Sequence, residues 1–87
     1  MNRVKSLLRA LPASERYGKS LRGMAARTGI DVGQLHRVLY GEGNTSPRVI
    51  GKIAGTLPKV EANELIRCYL KAVAAEIALY QLTTAER

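Results

Sequence analysis

Apolar residues recur along this chain at helical spacing and nowhere alternate with polar ones for long enough to make a sheet, so a small helical body is what the chain can fold into. Val4, Leu7, Leu8 and Leu11 open the pattern, and Pro12 ends it by restricting the residue before it. Pro12 to Lys19 is polar and reads as a connection, with one helical turn around Glu15 to Tyr17. Ser20 has the chemistry of an N-cap for a second helix, Leu21 to Thr28, followed by Gly29, which reaches a left-handed conformation cheaply. Asp31 is the expected N-cap of a third helix, Val32 to Tyr40, with Leu35, Val38 and Leu39 on its buried face and Gly41 and Gly43 as its stop.

After a loop over Gly41 to Thr45, Ser46-Pro47 reads as an N-cap with proline at the first helical position. Val49, Ile50, Ile53, Ala54 and Leu57 form the apolar face of a fourth helix that Pro58 ends. A fifth, long helix is expected from about Ala62 to Leu82. The fold class is therefore all-α, a compact five-helix bundle with a long C-terminal helix. It divides into residues 1–60 and a C-terminal helix over 61–87.

A core of 87 residues is small, so a partner subunit would add stability. No apolar run is long enough to cross a membrane, and the first eleven residues are interrupted by Lys5 and Arg9 where a signal peptide would be apolar. The one cysteine, Cys68, has no partner for an internal disulfide and belongs to no Cys/His cluster of the zinc-binding kind, so neither metal nor cofactor is expected. A reduced, cytoplasmic setting fits this usage, and Cys68 reads as a small core residue. The net charge is +7, unevenly spread. Residues 1–60 hold eleven Lys and Arg against Glu15, Asp31 and Glu42, whereas residues 61–87 hold three against four acids. Such a basic field attracts polyanions, although charge alone names no partner.

The informative stretch is Leu21 to Gly41, LRGMAARTGIDVGQLHRVLYG. Counting from Leu21, an apolar Met24 stands fourth and a small Ala25 fifth, where two helices must approach. Gly29 is ninth at the sharp turn, Ile30 tenth as a plug beneath it, and Leu35 and Val38 face inward at positions fifteen and eighteen. Two helices joined by a short glycine-containing turn need these residue types at these spacings. Gly23 lies inside the first of the two helices, at a cost of roughly 1 kcal/mol against Ala, which tight packing or close approach to a ligand would explain.

Over about residues 20–57 this pattern resembles the lambda-repressor-like (Xre-type) helix-turn-helix family, whose second motif helix enters the DNA major groove while the first crosses the backbone. The resemblance implies double-stranded DNA as partner. Arg37 matches a base-reading position late in the recognition helix, where Arg grips guanine through two hydrogen bonds. Val32 and Gly33 match reading positions at the helix start, where Val32 would meet a thymine methyl and Gly33 would allow the backbone close. Gln34 and His36 project from the same half of the helix. Leu21 occupies a place where the family often has a phosphate-binding Gln, leaving Lys19, Ser20 or Arg22 as substitutes. Asn44, Thr45 and Arg48 match the loop and helix start that bind phosphate, helped by the field at the helix N-terminus. Each of these residues also has a plain surface or capping reading.

The last helix carries Leu65, Ile66, Tyr69, Leu70, Val73, Ile77 and Tyr80, a stripe too broad to leave in water. It either completes a monomer core, or pairs with a second copy in a homodimer, or binds a different protein as an amphipathic helix in a groove. The partner-binding set on these readings is Leu65, Tyr69, Val73, Ile77 and Tyr80. Tyr17, Tyr40, Tyr69 and Tyr80 read as packing residues. None of the seven acids stands with His or a nucleophile in a recognisable catalytic arrangement, and Gly41-Glu42-Gly43 is not followed by the Gly-Lys-Ser/Thr of a phosphate loop, so no enzyme is expected. The expectation is a bacterial or phage transcriptional regulator, acting as a repressor on an inverted repeat. The alternatives are an antitoxin or antiactivator that holds another polypeptide, and a non-specific nucleic-acid binder.

Overall fold

A computed structural model describes residues 2–41, 43 and 45–85, with side chains through Gln81. Among these residues the chain forms five α-helices, two 3-10 turns and no strand. The helices are α1 (Asn2–Ala10), α2 (Leu21–Thr28), α3 (Val32–Tyr40), α4 (Pro47–Ala54) and α5 (Lys59–Ala85). No helix among the described residues is long and apolar enough to cross a membrane.

Each helix start that local chemistry points to is made as expected. Ser20 Oγ accepts from the Gly23 amide at 2.9 Å, Asp31 Oδ2 from the Gly33 and Gln34 amides at 3.0 and 3.3 Å, and Ser46 Oγ from the Val49 amide at 3.3 Å. These side chains satisfy amides that the first helical turn leaves without partners. Gly29 takes the left-handed conformation (φ +75°) after α2, and its amide closes on the Ala25 carbonyl at 2.9 Å. Beneath the turn Ile30 is buried as a plug, and the Thr28 hydroxyl donates to the Met24 carbonyl at 2.8 Å.

The connection after Pro12 is more ordered than its polarity suggests. It is two 3-10 turns, Leu11–Ala13 and Glu15–Tyr17, hinged at Ser14, whose hydroxyl accepts from the Arg16 amide. The second turn delivers Tyr17 into the core, where its hydroxyl bonds that of Thr56 after α4. Two helix boundaries also move. α4 closes at Ala54, its last carbonyls taken up by the turn through Thr56 and Leu57. α5 begins at Lys59, three residues before the expected Ala62, because the Pro58 carbonyl accepts from the Ala62 amide at 2.8 Å and so opens the helix.

The core joins Val4 and Leu8 of α1, Tyr17, Met24 and Ala25 of α2, Leu35 and Leu39 of α3, four residues of α4, and Leu65 and Tyr69 of α5. Helix α1 packs on α3 and α5, α2 on α3 and the second 3-10 turn, and α4 on α5. Beyond Val73, α5 leaves this body: residues 74–81 are all exposed. The radius of gyration is 14.2 Å, against about 12 Å for a compact chain of this length, and the excess reflects that projecting helix.

Gly23 is explained by packing within the chain. A Cβ there would stand 1.9 Å from the Tyr17 carbonyl oxygen, a backbone atom that cannot swing aside. Gly51, in the exposed middle of α4, has nothing within 4 Å of a Cβ. The two glycines therefore predict opposite signs by urea denaturation. Gly23→Ala should lose on the order of 1–3 kcal/mol by overpacking. Gly51→Ala should gain about 0.5–1 kcal/mol from helix propensity.

Candidate nucleic-acid interface

Helix α3 is held from behind and at its end. Leu35 and Leu39 are completely buried and Val38 partly so, which fixes one side of the helix against the body. Its last carbonyls are taken by two cations of α1: Lys5 Nζ donates to the Val38 carbonyl, and Arg9 Nε to the Leu39 carbonyl at 2.7 Å. Cations at a helix C-terminus complement both the unpaired carbonyls and the negative end of the helix dipole. Burial, and the like charge of Arg9 beside it, hold the Lys5 pKa below its ordinary 10.5.

What α3 turns outward follows from its 100° step per residue. With Leu35 and Leu39 inward, Gly33, Arg37 and Tyr40 form the opposite row, flanked by His36 and Gln34, while Val32 falls about 20° from Leu39 and is exposed at the first turn. All six are exposed. Arg37 stands one turn after Gly33 on this row, so the bare backbone of residue 33 lies next to it on the exposed surface. Gly33 also has a local reason: a Cβ there would crowd Asp31 Oδ2 at 3.1 Å. The His36 ring leans on Tyr40 with centroids 5.0 Å apart.

Outside α5 the cations divide into two groups. Arg3 and Arg16 are ion-paired to Glu64 and Glu61 of α5 at 3.8 and 3.4 Å, Lys19 to Glu15 at 3.8 Å, and Lys5 and Arg9 are engaged by carbonyls. Arg22, Arg27, Arg37, Arg48 and Lys52 are exposed and form no ion pair among the described residues. Sequence reasoning missed Arg27 and Lys52, since nothing local separates an unpaired surface cation from a paired one.

Other expected site residues meet the structure unevenly. The Ser20 hydroxyl serves as the α2 cap, and Lys19 is exposed with a positive φ of 56°. Arg22 and Arg48 are exposed at the starts of α2 and α4. Asn44 lies outside the described residues. Thr45 is a correction: its side chain is buried, so its hydroxyl cannot meet a phosphate, and its carbonyl accepts from the Tyr69 hydroxyl at 2.6 Å. Leu65 and Tyr69 are corrections too, being core residues that no docking partner can reach. Val73 is half-buried, while Ile77 and Tyr80 remain exposed. Of the four tyrosines, Tyr17 and Tyr69 pack inside, but Tyr40 and Tyr80 do not.

Burial, and to a lesser degree the charge of Glu76, push the Tyr69 pKa up, keeping it a hydroxyl donor to the loop ahead of α4. Among the described residues no three of His, Cys, Asp and Glu are grouped as metal ligands. No protein-family model, curated protein or solved structure matches this chain.

Two outcomes test this framework. Tyr69→Phe keeps the ring and strands the buried Thr45 carbonyl, and should cost about 1–3 kcal/mol in denaturant unfolding. The second concerns Lys5. Because its folded pKa lies below 10.5, the folded state binds fewer protons than the unfolded state just under that pH. Wild-type stability measured against Lys5→Met, which does not titrate there, should rise as pH climbs through that window toward 10.5. A flat difference would contradict the burial of the ammonium.

Proposed function

We propose that this chain is a sequence-specific DNA-binding regulator that presents α3 to the major groove, with Arg37 as its leading base-reading residue and a homodimer as its working form. The observation that carries the reading is the outward face of α3: exposed over Gly33, Gln34, His36 and Arg37, with Val32 exposed at its first turn, no acidic residue within the helix itself, and fully buried leucines behind. A groove-reading helix must be rigid relative to the body that grips the phosphates. Support for that rigidity comes from Leu35, Leu39 and the two α1 cations on the last carbonyls. The unpaired Arg22, Arg27, Arg48 and Lys52 supply the sequence-independent attraction.

The left-handed Gly29 between α2 and α3, and the buried Ile30 beneath it, are also what the lambda-repressor-like resemblance asks for. On this reading the chain regulates transcription, as a repressor where its site overlaps a promoter. A second reading, a regulator that holds another polypeptide as antitoxins and antiactivators do, draws on the exposed apolar residues of α5, Leu70 and Ile77 among them.

Binding to a pool of genomic fragments at several salt concentrations tests the choice. A specific regulator keeps its sequence preference as salt rises, with a log–log salt slope of about −3 to −4 per chain if Arg22, Arg27, Arg48 and Lys52 meet phosphate. Arg37→Ala should cost about 1–3 kcal/mol on the preferred site and relax one base pair of it. Equal loss on every sequence, with the slope shallower by about one, would reduce Arg37 to a phosphate contact. Absence of any binding at low salt would remove the DNA reading altogether.

A further inference from the structure

The segment after residue 60 is acidic on balance, yet two of its three cations stand together. Arg67 and Lys71 are one helical turn apart on α5, exposed, and in no ion pair among the described residues. They rim a groove of about 710 Å³ between α5 and the first turn of α1. Its floor is apolar, made by the buried Val4 of α1 and the half-buried Cys68 and Ala72 of α5. Glu64 also lines the groove, but its carboxylate faces Arg3 of α1 at 3.8 Å, so the charge left over there is positive. This face lies on the other side of α5 from the exposed row Ile66, Leu70 and Ile77.

We infer that this groove binds a free amphiphile with one anionic head and an extended apolar chain, of the class of long-chain carboxylates and alkyl phosphates. The space selects the shape of the ligand. Val60 and Ala75, the lining residues furthest apart on α5, are separated by about 22 Å along the helix. Spread over that length, the volume leaves a cross-section of about 30 Å², enough for one extended chain and too narrow for a helix about 10 Å across. An extended peptide would find no backbone partner along residues 64–75 of α5, whose amides and carbonyls are spent inside the helix. A hydrocarbon chain has no such need and gains by covering Val4, Cys68 and Ala72. The head follows from the rim. Arg67 and Lys71, with no carboxylate of their own to answer, offer one carboxylate or phosphate charge-assisted hydrogen bonds from two side chains. A membrane surface would call for cations around a projecting apolar face. Here the apolar residues are the floor and the cations stand above it, which suits a single molecule taken from solution.

The inference stands apart from the DNA-binding reading, and its test contains no DNA. The full chain is titrated with dodecanoate below the concentration at which it forms micelles. The methyl resonances of Val4, Val60, Ala72 and Ala75 should move saturably, with one molecule bound per chain, and those of Ile66, Leu70 and Ile77 should stay in place. Arg67→Gln with Lys71→Gln should weaken binding about tenfold or more. Helical circular dichroism and the unfolding midpoint should be preserved in that variant, since both side chains are exposed. Dodecyl phosphate should compete with dodecanoate. Dodecanol, a tail without charge, and acetate, a charge without a tail, should each bind at least about tenfold more weakly than dodecanoate. The inference is overturned by shifts centred on Ile66, Leu70 and Ile77, by equal affinity in the double variant, or by dodecanol binding as well as dodecanoate. Attachment to phosphatidylglycerol vesicles without uptake of free dodecanoate overturns it too, and would make the ligand a membrane.

Discussion

The outer face of α3 depends on how that helix is seated. A nine-residue helix is too short to be stable alone in water, so its geometry is borrowed from what surrounds it. Leu35 and Leu39 press one side into the core, Asp31 closes the first amides, and Lys5 and Arg9 reach from α1 to its last carbonyls. The helix is therefore fixed at its start, its back and its end by three different parts of the chain. Among the described residues the side chains of its outer row make one contact with each other, His36 against Tyr40, and none that anchors them to the core. A face without internal obligations can be given over to recognition without loss to the fold.

The distribution of charge follows from the same seating. The formal +7 already subtracts the acids that pair with Arg3, Arg16 and Lys19, so what a polyanion meets is set by where the unpaired cations stand. Lys5 and Arg9 are turned to a carbonyl pair, and Arg3 and Arg16 tie α1 and the second 3-10 turn to α5. Exposed pairs of that kind add little stability, at most about 1 kcal/mol each. Their larger effect is to withdraw those cations from the surface field, so the charge that remains ahead of α5 lies on α2, α3 and α4.

Features set by neighbours in sequence were legible from the chain alone. The caps Ser20, Asp31 and Ser46, the left-handed Gly29 and the plug Ile30 all act within four residues, and each is made as read. Failures come from contacts made at long range. Thr45 looked like a loop residue until Tyr69, twenty-four positions on, claimed its carbonyl. Lys5 looked like a break in an apolar stretch, although its place beside Val4 and Leu8 could have marked it as facing inward; its partner is thirty-three residues away. Gly23 left two explanations open because the Tyr17 carbonyl that excludes a side chain belongs to another element. The α5 stripe was too broad to apportion, since only the packed body shows which half it consumes. Pro58 was read only as an end, whereas its carbonyl also begins the next helix.

Helix α5 is rooted by Leu65 and Tyr69 and then runs on as a single rigid rod. From Tyr69 to Gln81 it is about 18 Å long, so a tilt of about 10° at the root would carry the far end through about 3 Å. A lever of that ratio makes any assembly built on the rod sensitive to small repacking at its base. Substitutions around the buried Tyr69 ring would thus redirect the exposed half of α5 relative to the body in which it is rooted.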